Sequence, residues 1–287
     1  MDASAVTRFA PSPSGYLHLG HAYSALFAAR AAAEAGGRFL LRIEDIDQGR
    51  ARPDFEAAIF EDLAWLGLTW EEPVLRQSER MDLYRAALET LQRQGLVYPC
   101  FCTRKEIAAE IARAGAAPHG PQAALYPGTC RGLSEDEREA RRAEGRSYAL
   151  RLDLAAAMAA ADAGGPLTWT DRERGVQVCD PRGEGDVVLA RKDLGTSYHL
   201  SVVVDDAAQG VTLVTRGTDL FEASHLHRLL QALLGLPAPD YHHHRLVTDE
   251  AGKRLAKRHD SLTLRSLRDA GQSAAAVIAL AEQRALA

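Results

Sequence analysis

Apolar residues recur at three- and four-residue steps between Asp54 and Leu66, where Phe55, Ile59, Leu63 and Leu66 share one face, and that spacing predicts an amphipathic helix. Asp82–Gln94 is predicted as another, stopped by Gly95. Val6–Pro11 and Arg38–Ile43 are short and apolar without that period, so both read as strands, the second running into the acidic Glu44–Asp47. A helix between them should start near Leu19–Gly20 and stop at Gly36 and Gly37. The alanine-rich stretches Ala28–Ala35 and Ala155–Ala163, punctuated by Arg30, Glu34 and Asp162, also read as helix. Strand and helix alternate, which predicts an α/β fold on a parallel, doubly wound sheet.

At Val97 the alternation breaks. Residues 97–190 combine a cysteine cluster, a Gly/Pro/Ala-rich stretch from Gly115 to Gly128, a charged helix near Ser134–Glu144, and short strands at Tyr148–Leu152 and Asp186–Ala190. This region reads as an α+β insertion. Strands resume at Leu200–Val204 and Val211–Thr215, followed by a helix over Ala223–Leu234, a basic loop at Gly252–Asp260 and a short helical tail. The expected organisation is a first half of the main domain over 1–96, an inserted subdomain over 97–190, the second half over 191–260 and a helical tail over 261–287.

With 46% hydrophobic and 25% charged residues, the 287-residue chain has the composition of a soluble globular protein with room for a substantial core. Its first segment has no apolar stretch behind a basic one, and no apolar run nears the ~20 residues that span a bilayer, so neither a signal peptide nor membrane attachment is expected and a cytoplasmic location is. The net charge of −5 does not advertise nucleic-acid binding. Between Arg245 and Asp269, however, seven basic residues stand against four acidic ones, and a local patch is what RNA binding requires.

His18-Leu19-Gly20-His21 falls where a strand hands over to a helix. A helix N-terminus offers unpaired N–H groups and partial positive charge, which suit phosphate. Gly20 removes a Cβ from the path of a nucleotide, and two imidazoles can donate to phosphate oxygens as charge builds. Two surface histidines near a cap would look the same, so the short motif is not decisive alone. Gly252–Arg258 is a lysine-bearing loop able to fold over an ATP tail and neutralise departing pyrophosphate, although such a string by itself is more often a solvated loop. Cys100 and Cys102 are poorly spaced for a disulfide with each other; with Cys130 they suggest a metal site one ligand short of tetrahedral. His119 and Tyr126 lie between them, and either could complete it. Cys179 reads as an unpaired thiol and His242-His243-His244 as a surface run.

Taken together, Arg8-Phe9-Ala10-Pro11-Ser12-Pro13-Ser14-Gly15, the HLGH segment and Leu41-Arg42-Ile43-Glu44-Asp45 resemble the opening of class I glutamyl-tRNA synthetases. Ser197–Leu200, Val204-Asp205-Asp206, Thr215–Leu220 and the lysine loop follow in that family's order, so the resemblance runs from about Val6 to Asp260. It implies a class I, Rossmann-like sheet and a shared site. His18, Gly20, His21 and Lys257 would hold ATP, with His18, His21 and Lys257 as the catalytic set. Arg8 and Arg216 would take the side-chain carboxylate of glutamate, Glu44 its amino group, and Ala10, Ser12 and Tyr198 would complete the pocket. The chemistry suits these roles, because only the α-carboxylate must react and a guanidinium grips the other with two parallel hydrogen bonds. The lysine loop departs from the family's KMSKS pattern: Arg254 stands at the first lysine and Ala256 at the serine, so charge is kept and a hydroxyl is lost.

A C-x-C…Y-x-x-x-C pattern marks paralogues of this family that carry one structural Zn2+, and the resemblance therefore favours Tyr126 over His119 beside Cys100, Cys102 and Cys130. About 27 residues follow Asp260, too few for an anticodon-reading domain, which directs the resemblance to the truncated glutamyl-queuosine tRNA(Asp) synthetases. These imply a monomer that activates L-glutamate with ATP and Mg2+ in the absence of tRNA. Glutamate then passes to queuosine at the wobble position of tRNA(Asp). No residue identifies itself as the reader of queuosine or as a general base for transfer. Three other readings fit parts of the pattern. A small nucleotidyltransferase such as pantetheine-phosphate adenylyltransferase explains HLGH and the basic loop but not Arg8, Glu44 and Arg216. A non-enzymatic, zinc-containing RNA-binding protein has Ala256 as its one hint. A truncated enzyme charging tRNA(Glu) would need a separate anticodon-binding partner.

Overall fold

The computed structural model describes residues 4–113, 125–162, 164–248 and 263–286. His119 and the lysine loop, with Arg254, Ala256 and Lys257, lie outside them. The first stretch alternates as β1 (Val6–Phe9), α1 (Leu19–Glu34), β2 (Arg38–Ile43), α2 (Pro53–Trp65), β3 (Glu71–Arg76) and α3 (Met81–Arg93). Its three strands are parallel in the order β1-β2-β3. There follow β4 (Val97–Cys100), α4 (Arg104–Arg113), α5 (Glu135–Ala143), β5 (Ala149–Leu152), α6 (Leu154–Asp162), β6 (Thr168–Asp171), β7 (Gly175–Val178) and β8 (Val188–Ala190). The chain then forms α7 (Tyr198–Ala208), β9 (Leu213–Gly217), α8 (Phe221–Leu234), β10 (Asp240–His244), α9 (Leu264–Asp269) and α10 (Ala274–Leu286).

Antiparallel β4, β5 and β8 form a sheet of their own. The β6–β7 hairpin joins β10 instead, and β10 lies parallel to both β6 and β9. The two parallel sets meet at β1 and β9, where the Thr212 N–H donates to the Val6 carbonyl at 3.0 Å and the Val6 N–H donates to the Thr212 hydroxyl at 2.9 Å. From β1 the chain proceeds to β2 on one side, and from β9 to β10 on the other. The carboxyl ends of β1 and β9 therefore border the crevice where winding reverses, the usual ligand site of such sheets. One apolar cluster, including Leu17, Leu19, Ile43, Ile59 and Leu63, is closed by Leu264 and Val277 from α9 and α10. Another gathers Tyr84, Leu91, Leu152, Leu189, Leu200 and Leu226 beneath α7 and α8.

Two expectations fail. Leu200–Val204, read as a strand, is part of α7. Helical spacing there buries Leu200 and Val203 with Val202, and also delivers Asp205 to Arg80, Tyr84 and Gln77, so packing overrides β-propensity. The three consecutive histidines are not a surface run: they end β10, and His243 and His244 are only 4% and 6% exposed.

At the centre of the fold lies a buried charge network. Asp206 of α7 accepts from Arg8 Nε at 2.9 Å and Arg8 Nη2 at 3.2 Å, and from Arg42 Nη1 at 2.7 Å. Arg42 also reaches Gln209 at 2.9 Å and Glu44 at 3.1 Å. Burial would raise the Asp206 carboxyl, but Arg8 and Arg42 outweigh it and hold it below the usual range. Burial likewise opposes the charge on Arg42, and Asp206 and Glu44 more than restore it. Arg42→Met keeps much of the volume yet strands carboxylates in the interior; we predict a loss of about 3–5 kcal/mol in guanidinium unfolding. A loss below about 1 kcal/mol would show the network to be dispensable.

Candidate active site

Both histidines of HLGH are built into the start of α1. His18 is the N-cap: its Nδ1 accepts from the Gly20 N–H at 3.1 Å, while His21 Nδ1 accepts from the His18 N–H at 3.2 Å. This is a reciprocal capping box made by imidazoles. Accepting at Nδ1 leaves the hydrogen of each neutral ring on Nε2, so both tautomers follow from the backbone bonds. A Cβ at Gly20 would come 3.0 Å from the His18 ring, a tight contact that the capping ring would have to ease by shifting slightly. At the end of β9, a Cβ on Gly217 would come 2.5 Å from the Asp219 carboxylate and 2.7 Å from the Leu246 side chain, so both side chains would have to move to admit one.

Arg8, Ala10, Ser12, His18, Gly20, His21, Glu44, Tyr198 and Arg216 all line one cleft of about 400 Å3 at the carboxyl ends of β1 and β9. The described residues flanking the lysine loop approach the same place. Leu246 and Val247 line the cleft, and the Leu264 N–H donates to the Leu17 carbonyl at 2.8 Å, beside His18.

The two cleft arginines are held differently. Arg8 forms a two-pronged ion pair with Asp206 and donates to the Thr215 carbonyl at 3.2 Å. Arg216 is as deeply buried but has no ion pair among the described residues. Its contacts are Ser224 Oγ at 2.5 Å, His227 Nδ1 at 3.1 Å, His243 Nε2 at 3.4 Å and the Tyr198 hydroxyl at 3.5 Å. A guanidinium only donates, so both imidazole nitrogens facing it must be lone pairs. His227 then passes its other N–H to His199 Nδ1, 3.2 Å away. Burial, reinforced by Arg216, pushes His199 down to about 4 and His227 well below its ordinary value. His243 also falls to about 4 through burial, with Arg216 adding to the effect and Asp171 opposing it. Glu44 is raised by burial despite Arg42 and Arg8. An incoming ammonium would favour its anion.

A second constellation lies apart from the cleft. The Sγ atoms of Cys100, Cys102 and Cys130 are within 4.8 Å of one another, with Cys102 and Cys130 at 3.5 Å. Tyr126 places its hydroxyl 3.7 Å from Cys102 Sγ and accepts the Cys130 N–H at 2.9 Å. Thiolates sharing a tetrahedral zinc at ~2.3 Å lie ~3.8 Å apart, so three thiols and a phenol oxygen fit a single ion.

Sequence reasoning assigned no role to Arg42, Asp206, His227, His243 or Ser224. A charged residue inside the apolar run LLRI was the signal for Arg42, and an acidic pair closing an apolar helix was the signal for Asp206. Nothing local marks the buried histidines.

Residues 4–286 match the family described as tRNA synthetases class I (E and Q), catalytic domain. A glutamyl-Q tRNA(Asp) synthetase of Rhodobacter capsulatus is 54% identical over 274 residues, covering 94% of this chain and 97% of that protein. Another, of Symbiobacterium thermophilum, is 45% identical, with 94% and 83% covered. A solved glutamate tRNA ligase from Elizabethkingia meningosepticum, in complex with its amino acid, matches with a TM-score of 0.73 at 31% identity, over 89% of this chain. The chain spans 52% of that ligase's length. No helix among the described residues is long and apolar enough to cross a membrane.

The imidazole network has a pH signature of fixed sign. The unfolded chain protonates these histidines near pH ~6.5. The native rings of His199 and His243 resist until about 4, and His227 resists further. Below the unfolded value the unfolded state binds more protons, so these rings withdraw stability as pH falls through that window and contribute in full above it. In a 15N-detected titration, His199, His227 and His243 should still be neutral at about pH 5.5. A midpoint near the unfolded value would take that residue out of the network.

Proposed function

Because the chain belongs to the class I tRNA synthetases of the E and Q type, we propose that this ligase activates L-glutamate with ATP and transfers it to queuosine in tRNA(Asp). The observation that carries this reading is the single cleft in which two glutamate-type cations, one acid and two cap histidines converge. Arg216, with only neutral partners, is the principal acceptor of the side-chain carboxylate, and Arg8 assists from its ion pair with Asp206. Glu44 receives the ammonium, while Ala10, Ser12 and Tyr198 shape the pocket. Held at both ends, glutamate presents its α-carboxylate to the α-phosphorus of ATP. An oxygen attacks in line, the P–O bond to pyrophosphate breaks, and glutamyl-adenylate forms without tRNA.

His18 and His21 donate Nε2–H to the phosphates at the helix N-terminus, beside Gly20. Mg2+ accompanies ATP. Lys257 neutralises the leaving group. The placement of Leu246, Val247 and Leu264 around the cleft supports that role, although the loop itself lies outside the described residues. A queuosine hydroxyl then attacks the adenylate carbonyl and AMP departs. The preference for this acceptor rests on the relatives named glutamyl-Q tRNA(Asp) synthetase. One structural Zn2+ held by Cys100, Cys102, Tyr126 and Cys130 would pin β4 to the chain after α4.

ATP–pyrophosphate exchange across a panel of amino acids should proceed with glutamate alone and need no tRNA. Exchange with none of them would refute the enzymatic reading. Arg216→Ala should raise the KM for glutamate about 100-fold, the loss of a charge-assisted contact worth ~3 kcal/mol. Lys257→Ala should slow exchange about 100-fold. Queuosine-containing tRNA(Asp) should accept glutamate where unmodified tRNA(Asp) and tRNA(Glu) do not. Elemental analysis should find about one zinc per chain, lost in Cys102→Ser. A metal-free wild-type protein with an intact fold would dismiss the zinc site.

A further inference from the structure

Behind Arg216, away from the cleft, Asp171, His243 and Ser224 form a continuous polar chain. Asp171 ends β6 and is fully buried. Its Oδ1 accepts the N–H groups of Glu173 and Arg174, both at 3.0 Å, in the hairpin turn. Its Oδ2 accepts the backbone N–H of His243 at 3.2 Å and meets His243 Nδ1 at 2.6 Å. With both oxygens engaged as acceptors, Nδ1 must carry the ring hydrogen. Nε2 is then a lone pair, and it faces Ser224 Oγ at 3.1 Å and Arg216 Nε at 3.4 Å. Ser224 accepts from Arg216 Nη2, and its own hydrogen has two acceptors in reach, His243 Nε2 at 3.1 Å and the Leu220 carbonyl at 3.4 Å. Stacking of Tyr241 on His243, with ring planes 5° apart, and the Phe221 ring 5.1 Å away fix the imidazole plane.

We propose that Asp171 and His243 are positioning residues for Arg216: the carboxylate sets the His243 tautomer, and the resulting lone pair, with Ser224, aims the guanidinium into the cleft. This rests on the reading that Arg216 holds the substrate carboxylate. A direct Asp–Arg pair would orient the guanidinium but neutralise it, as Asp206 does for Arg8. One imidazole between them keeps the orientation and leaves the positive charge for a ligand. Polarity is the vulnerable property. In Asp171→Asn, the two backbone N–H groups of the turn hold the amide oxygen, so the NH2 faces His243 Nδ1 and the His243 backbone N–H, which loses its acceptor. Nδ1 becomes the acceptor, the hydrogen moves to Nε2, and a donor then points at Arg216.

The test is ATP–pyrophosphate exchange on the full chain, varying glutamate and ATP separately. Asp171→Asn and His243→Phe should each raise the glutamate KM about tenfold and move the ATP KM less than about twofold. The double variant should be no worse than His243→Phe alone, because Asp171 acts through the ring. In the wild type, 15N spectra should show the Nδ1–H tautomer at His243, a readout that survives should either variant fail to fold. An Nε2–H tautomer in the wild type overturns the proposal. If Arg216→Ala raises the glutamate KM while folded Asp171→Asn leaves it unchanged, the positioning role alone fails. If Arg216→Ala leaves it unchanged, the substrate role of Arg216 fails and takes this proposal with it.

Discussion

Asp206 is the carboxylate on which the rest of the cleft depends. It binds Arg8 of β1 and Arg42 of β2 at once, and so ties two parallel strands to a helix more than 150 residues further along the chain. Such a network costs desolvation energy and gains it back only when every member is paired. Its worth lies in geometry. Shifting β1 by one residue against β2 would turn Arg8 to the opposite face of the sheet and leave Asp206 half satisfied inside the protein. The register Arg8↔Leu40, and with it the position of the cleft floor, is therefore over-determined by charge as well as by packing.

The upper edge of the cleft obeys a different constraint. A helix N-terminus has unpaired N–H groups, and here the side chains that satisfy two of them are His18 and His21. On the proposed reading, capping and phosphate recognition use opposite edges of the same rings. The backbone takes Nδ1, and the hydrogen this leaves on Nε2 is what an anionic ligand needs. A Cβ at Gly20 would crowd the capping ring itself, independently of any nucleotide.

The framework was legible in sequence because it rests on local rules. The apolar period predicted Asp54–Leu66 and Asp82–Gln94, and α2 and α3 occupy those positions within a residue or two. The ordered motifs named cleft residues scattered from Arg8 to Arg216. What escaped was set by tertiary context. Val202, Val203 and Val204 favour a strand in isolation, yet the apolar cluster around Leu200 and the distant partners of Asp205 and Asp206 hold this segment as a helix. Three consecutive histidines look solvated until β10 is placed between β6 and β9. Arg42 and Asp171 act through partners far away in sequence, so no window of the chain displays their purpose.

Arg8 and Arg216 show how one residue type serves two ends. Direct pairing fixes Arg8 and uses its charge; neutral acceptors fix Arg216 and leave its charge uncompensated by contact. A desolvated guanidinium among imidazoles and a hydroxyl is better stabilised with an anion than without one. On the proposed reading, glutamate supplies that anion. Glutamine would have to turn an NH2 donor or a weaker neutral oxygen toward the same group, and the histidines cannot relieve the mismatch, because their lone pairs are already committed to Arg216. Discrimination then arises less from shape than from a cation that the fold orients firmly and declines to neutralise.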